Sequence, residues 1–132
     1  MKLTDLAILD WVLINNTPHR IQAIDSIDAE ILADDDLYYV GEDRCHSEDK
    51  IEGIPLTSEI LEKNGFIKVN SQRYDYGNPD TDCYVKVNPK KNMIHVNGRN
   101  ANSNLYSHSF VHELQRALRC CGLWDIADNF KV

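Results

Sequence analysis

The residues best suited by type to do chemistry are His108 and His112, four apart, with Glu113 beside the second. Two imidazoles at that spacing can share one helical face and hold a zinc ion. The metalloprotease form is His-Glu-x-x-His, in which the glutamate serves as base. Here the last position is Arg116, so the motif is broken, and His108 can fall ahead of the helix altogether. Surface histidines on a capped helix are the simpler reading. No metal and no other cofactor is expected.

A basic hairpin is the next candidate. Lys86, Lys90, Lys91 and Arg99, joined by Lys68 and Arg73, can form a positive strip with Tyr84 and Tyr74 near it. Lysines neutralise phosphates, and tyrosines stack on bases. The density is low, however, no nucleic-acid motif accompanies it, and lysines at turns commonly keep a sheet edge soluble. Nucleic-acid binding through residues 86–99 is therefore the alternative function, not the leading one.

Asp34, Asp35 and Asp36, with Glu42 and Asp43, pose the question of a divalent ion. They lack the alternating acids and central glycine of an EF-hand loop. Mimicry of nucleic-acid charge is an analogy only, and a solvated acidic face explains them. Of the cysteines Cys45, Cys83, Cys120 and Cys121, none stand at Cys-x-x-Cys spacing. That leaves no sign of a zinc ribbon or thioredoxin-type site, and buried reduced thiols are expected, except that Cys45, before His46 in an acidic loop, can be exposed with no base beside it. There is no glycine-rich phosphate loop, no legible Ser-His-Asp set and no framed pair of carboxylates. Catalysis is the weakest class, and no catalytic residue is assigned.

The bulk properties agree. At 132 residues, 42 % hydrophobic and 27 % charged, the chain reads as one soluble domain, residues 1–132. No run approaches the roughly eighteen apolar residues of a membrane helix. The start, Met1-Lys2-Leu3-Thr4-Asp5, has no apolar core of a signal peptide, so a cytoplasmic address is expected. The net charge of −7 is segregated. Residues 25–62 hold thirteen acids against two bases, a balance of −11, and residues 63–132 hold ten bases against six acids, or +4.

The elements that must position these residues are organised around a short central helix. Thr57 can cap it, Leu56 and Leu61 sit where a hydrophobic staple closes, and Glu59 suits the first turn. Asn64-Gly65 supplies a left-handed stop from which Phe66 can fold back on Leu61. Before this helix, residues 6–14, 19–25, 27–33 and 37–40 read as strands, although 19–33 also carries a helical stripe. Residues 41–50 read as a loop. After the helix, residues 66–69, 73–76, 82–87 and 93–96 read as strands, with a turn at 88–92. A loop over 97–102 leads to Leu105 and Tyr106. A longer helix spans 109–121, with Ser109 as its cap and Gly122 as its stop; Val111, Leu114, Leu118 and Cys121 form its apolar face. His112, Gln115, Arg116 and Arg119 fall on its wet side, and residues 123–126 add an apolar patch.

Three of these stretches, in order along the chain, carry a family resemblance. They are Leu9-Asp10-Trp11-Val12, Ile54-Pro55-Leu56-Thr57 through Asn64-Gly65-Phe66, and Val111-His112-Glu113-Leu114-Gln115. Together they resemble small proteins of gut anaerobic bacteria and their phages. Those proteins run Ile-Gly-Asn-Trp-Val, then Ile-Pro-Leu-Thr-Glu-Glu-Ile-Leu with Gly-Phe, then a His-Glu-Leu-Gln helix. This chain departs at Ile8-Leu9-Asp10, which lacks the glycine, and after Gln115, where the aromatics and a Thr-Gly-Glu-Leu ending are replaced. The resemblance implies an accessory protein of a prophage or mobile element. The family carries no established activity, so no site residue transfers.

The expected fold is α+β. A small, strongly curved antiparallel unit (residues 6–50, with SH3-like as one candidate) precedes a unit of helix, antiparallel meander and C-terminal helix (residues 51–132). Trp11, Val12, Ile54, Leu56, Leu61, Phe66, Leu114 and Leu118 should form the core. The leading function is a non-catalytic module that binds another protein.

Overall fold

Asn15 and Asn16 both adopt positive φ, 52° and 61°. That is what a two-residue type I′ hairpin demands and asparagine tolerates. They join β1 (Trp11–Ile14) to β2 (Thr17–Asp25), paired from Ile14↔Thr17 to Trp11↔Arg20. The structure, a computed structural model, describes residues 1–33, 45–77, 84–98, 101–106 and 109–132. The chain divides into two compact units, Met1–Ile54 and Pro55–Val132.

In the first unit β2 turns into β3 (Glu30–Ala33) around Asp25, whose carboxylate accepts from the N–H of Ile27 at 2.9 Å and of Asp28 at 3.2 Å. β4 (His46–Ser47) adds to β3, and β5 (Ile51–Glu52) adds to β1, giving the order β4-β3-β2-β1-β5. Only the 3-10 turn Glu48–Lys50 separates β4 from β5, which are the two edges of this sheet. In a flat sheet those edges would lie about 19 Å apart. The turn and its two flanking links span only about 12 Å. The sheet must therefore curl, and a bulge between Ile21 and Ala23 bends β2 to allow it. The unit is thus a curled meander whose fifth strand returns beside the first. Leu3, Leu6, Val12, Ile14, Ile21, Ile31, Ala33 and Ile51 fill its interior.

Several expectations for this unit are corrected. The first strand begins at Trp11 rather than at residue 6, because residues 7–10 close a β-turn. The Asp10 N–H donates to Ala7 O at 3.1 Å, and the Ala7 N–H donates to the Asp10 carboxylate at 2.8 Å. Trp11 is half-buried, not core: it faces outward, with the Arg20 guanidinium 5.7 Å from its ring centroid. Residues 19–33 are strands rather than helix, but residues 26–29 are turn and Ile27 stands 92 % exposed. Residues 46–50 form a strand and a 3-10 turn instead of a loop. The expected strand at 37–40 and the acidic triplet lie outside the described residues.

The second unit opens on α1 (Ser58–Lys63), which follows its sequence signals closely. The Thr57 hydroxyl accepts from the Ile60 N–H at 3.2 Å. At the other end Phe66 N–H donates to Leu61 O at 3.0 Å and Gly65 N–H to Glu62 O at 3.1 Å, with Gly65 at φ 85°. Those two bonds make a Schellman stop. Then β6 (Ile67–Lys68), β7 (Tyr74–Gly77), β8 (Tyr84–Asn88), β9 (Met93–Gly98) and β10 (Ala101–Tyr106) form an antiparallel meander in chain order. The expected loop over 97–102 is corrected at 97, 98, 101 and 102, since β9 and β10 pair from Gly98↔Ala101 to Met93↔Tyr106, while residues 99 and 100 lie outside the described residues. Asparagine and serine are poor strand formers alone, and here the ladder to β9 overrides that preference.

α2 (Val111–Cys120) packs on β9, and α3 (Trp124–Asp128) packs on α2. Ser109 does not cap α2. Its carbonyl accepts from the Leu56 N–H at 2.8 Å and Phe110 bridges to Pro55, so both residues stay extended. Glu113 caps instead, its Oε1 accepting from the N–H of Ser109 at 3.1 Å and of Phe110 at 3.2 Å. His112 and Gln115 are buried, not wet, whereas Arg116 is exposed. Residues 123–126 are not a patch on the sheet: Trp124 is 57 % exposed, and Ala127 and Phe130 are the residues that bury. Ile54, Leu56, Leu61, Phe66, Leu114 and Leu118 are buried as expected. Among the described residues no helix is long and apolar enough to cross a membrane.

Candidate binding surface

Strand parity divides the second unit's sheet into two unlike faces. Tyr74, Val85, Val87, Ile94 and Val96 are all buried and share the face on which α2 lies. The intervening residues share the other. Register places Asp75 opposite Lys86 and Lys86 opposite His95, with Tyr84 opposite Asn97 and Asn88 opposite Met93. Ile67 pairs with Asp75 and so stands on this outer face. Val69, two residues on, follows it.

The outer face has defined internal geometry. The Lys86 ammonium lies 5.3 Å from the Tyr84 ring centroid, and the Tyr84 and His95 rings are 6.3 Å apart and tilted. Arg73 donates from Nη2 to Asp75 Oδ2 at 3.0 Å, and its Nε lies 3.0 Å from Oδ1 as an ion-pair contact. Together Arg73, Lys86, Val87, Asn88, Met93 and His95 line an open depression of about 310 Å³. Beside it Ile67 is 71 % and Val69 48 % exposed. Cations held against rings, next to exposed β-branched side chains, can bind a partner's anionic and apolar groups.

The hairpin tip is separately built. Pro89–Lys91 form a 3-10 turn, the Asn88 side-chain oxygen accepts from the Lys91 N–H at 3.2 Å, and Asn92 takes φ 50°. Lys90 and Lys91 are exposed there, and Lys86 stands on the outer face. Arg99 lies outside the described residues. Tyr74 is core and cannot flank the strip, and Lys68, paired opposite Tyr74, belongs to the other face from Lys86. His95, Met93 and Ile67 were not singled out from the sequence. Their parity within each strand is legible there, but the register that sets them beside Lys86 and Asp75 is not.

His108 lies outside the described residues, and His112 is buried and stacked on Phe110, with centroids 5.8 Å apart and planes at 14°. Glu113 is committed to the cap. Gln115 donates from its side chain to Ala127 O at 2.9 Å and so ties α3 to α2. Among the described residues no three His, Cys, Asp or Glu side chains gather as a metal would require. The expectation of a buried thiol is corrected for Cys120, which is exposed; Cys121 is buried, and Cys45 is exposed. Cys83 and the acidic residues 34–36, 42 and 43 lie outside the described residues.

The chain matches no family model, no curated protein and no solved structure.

Proposed function

We propose that the protein is a non-catalytic binding module that holds another protein against the outer face of its β6–β10 sheet. The observation that carries this reading is the pair Ile67 and Val69, 71 % and 48 % exposed, on the face that also carries Tyr84, Lys86 and His95. The solvent face of an antiparallel sheet is ordinarily polar. Exposed apolar side chains set beside aromatic and charged groups are instead the composition of a protein interface. Such a role suits the accessory protein of a prophage or mobile element that the family resemblance implies.

The test is capture from host lysate with the wild-type chain and with a Ile67→Glu, Val69→Glu variant, each with and without nuclease. Because both side chains are largely exposed, the variant should keep its circular dichroism. A protein captured by the wild type, insensitive to nuclease and lost in the variant is the expected result. Identical captures by the two chains would refute the assignment to this face.

A second reading, nucleic-acid binding, is favoured by Lys90 and Lys91 exposed at the tip and by Lys86 held over Tyr84. It predicts binding of single-stranded nucleic acid that weakens with salt. The Lys90→Glu, Lys91→Glu variant should lower the salt slope by roughly one per lysine removed. Nuclease-sensitive capture would bring this reading forward.

A further inference from the structure

We infer that the segment held on the outer face of the β6–β10 sheet is acidic, setting an apolar side chain on Ile67 and Val69 and a carboxylate against Lys86. This inference rests on the binding-module reading and names the chemistry of its partner. Register lays a row straight across the face: Ile67 opposite Asp75, Asp75 opposite Lys86, and Lys86 opposite His95. The one carboxylate of that row is already taken, since Arg73 donates to Asp75 Oδ2 at 3.0 Å. Lys86 makes no ion pair among the described residues; its ammonium lies 5.3 Å from the Tyr84 ring centroid. Lys90 and Lys91 add two exposed cations at the tip of the same hairpin. In a chain of net charge −7, the described residues of this face and its tip thus set Arg73, Lys86, Lys90 and Lys91 against Asp75 alone.

That charge selects the occupant. A half-buried ammonium without a counter-ion gains from an incoming carboxylate, with which it makes a charge-assisted hydrogen bond. A basic segment would meet like charge at Lys86, Lys90 and Lys91. A wholly apolar one would bury Lys86 with nothing to pair it, which is costly. Two strand spacings, about 10 Å, part Ile67 from Lys86, so the partner's apolar and acidic side chains stand about that far apart. Nucleic acid shares the anionic chemistry but not the rest. A sheet that holds single strands stacks their bases on aromatic rings, whereas Ile67 and Val69, the exposed apolar side chains here, are aliphatic. An acidic peptide uses both the cations and the aliphatic pair.

Selection from a displayed library of short random peptides against the full chain supplies the probe. Enriched sequences should combine Asp or Glu with an aliphatic residue, and the Ile67→Glu, Val69→Glu variant should not capture them. A synthetic peptide of the leading sequence should bind about tenfold more weakly once its acids become amides, read by fluorescence anisotropy. Lys86→Gln, checked by circular dichroism, should weaken the original peptide about as much, and the two changes together should cost little more than either alone. The peptide change leaves the protein intact, so its result does not depend on how a variant folds. Neutral or basic peptides that enrich on the wild type and are lost in the Ile67→Glu, Val69→Glu variant overturn the acidic partner and leave the binding module standing. So do acidic peptides indifferent to Lys86→Gln. No enrichment, or enrichment indifferent to every variant, overturns both readings. An oligothymidylate that binds more tightly than the best peptide, and is weakened by Lys86→Gln, overturns the inference in favour of nucleic acid.

Discussion

Leu9 is the third residue of the turn that precedes β1 and holds φ 73°. A type II turn asks for glycine there, and a left-handed non-glycine residue costs about 1–2 kcal/mol. The turn is held by its neighbours: Leu9 N–H donates to Ile21 O at 2.8 Å and Ile21 N–H to Asp10 O at 3.0 Å. Relief of strain in Leu9→Gly should exceed the added unfolded-state entropy, though loss of a half-buried side chain takes back part of the gain. We expect a net stabilisation of about 0.5 kcal/mol by denaturant titration, where leucine to glycine usually destabilises. Asp49 gives a second test at this scale. The Ser47 hydroxyl donates to its carboxylate and holds its pKa below the usual 3.8. A carboxylate depressed in the folded state adds stability above its unfolded pKa, lost as pH falls through the folded value. Ser47→Ala should move the Asp49 titration back towards 3.8, read by carboxyl NMR.

At the scale of elements, α1 and α3 show what local sequence can and cannot specify. Leu61, the centre of α1, is fully buried, and Leu61→Ala should cost about 2–5 kcal/mol in a denaturant titration. α3 hangs on α2 through Gln115, so Gln115→Ala leaves the Ala127 carbonyl without its side-chain donor. We expect a loss of about 1–3 kcal/mol, with amide exchange rising first in α3. The caps of α1 were legible because each signal acts within a turn: Thr57 on Ile60, Gly65 on Glu62, Phe66 on Leu61. The stop of α2 was legible for the same reason, with Leu123 N–H donating to Leu118 O at 2.9 Å. Its start was not, because Ser109 and Phe110 are drawn into extended pairing with Pro55 and Leu56, over fifty residues earlier. Gln115 was misplaced for a related reason. A polar residue reads as wet until its partner is known, and that partner is a backbone oxygen beyond the next turn. Asn64 is similar: its side chain donates to Lys131 O at 2.7 Å and accepts from Lys131 N–H at 2.8 Å, beyond any local reading. The outer face was half legible, since alternation marks Tyr84 and Lys86 as neighbours on one side, while only register adds His95 and Asp75.

For the whole molecule, charge and fold divide at the same place. The unit Met1–Ile54 holds thirteen acids against four bases, a net −9, and the unit Pro55–Val132 nets +2. A net charge far from zero on one compact unit destabilises it by self-repulsion. That repulsion reaches about 30 Å at 0.01 M salt and only a few ångströms at 1 M. Salt should therefore stabilise the first unit selectively. Amide exchange can follow each unit within the intact chain, through β1 and β2 for one and β8 and β9 for the other. Between low and high salt we expect protection in β1 and β2 to rise by about 1 kcal/mol, roughly fivefold, with β8 and β9 nearly unchanged. Equal shifts in the two units would mean that they open as one cooperative body, so that the acids of the first are balanced across the whole chain. Opposite shifts would mean that the basic residues of the second unit already relieve the first at low salt, an attraction that added salt screens away.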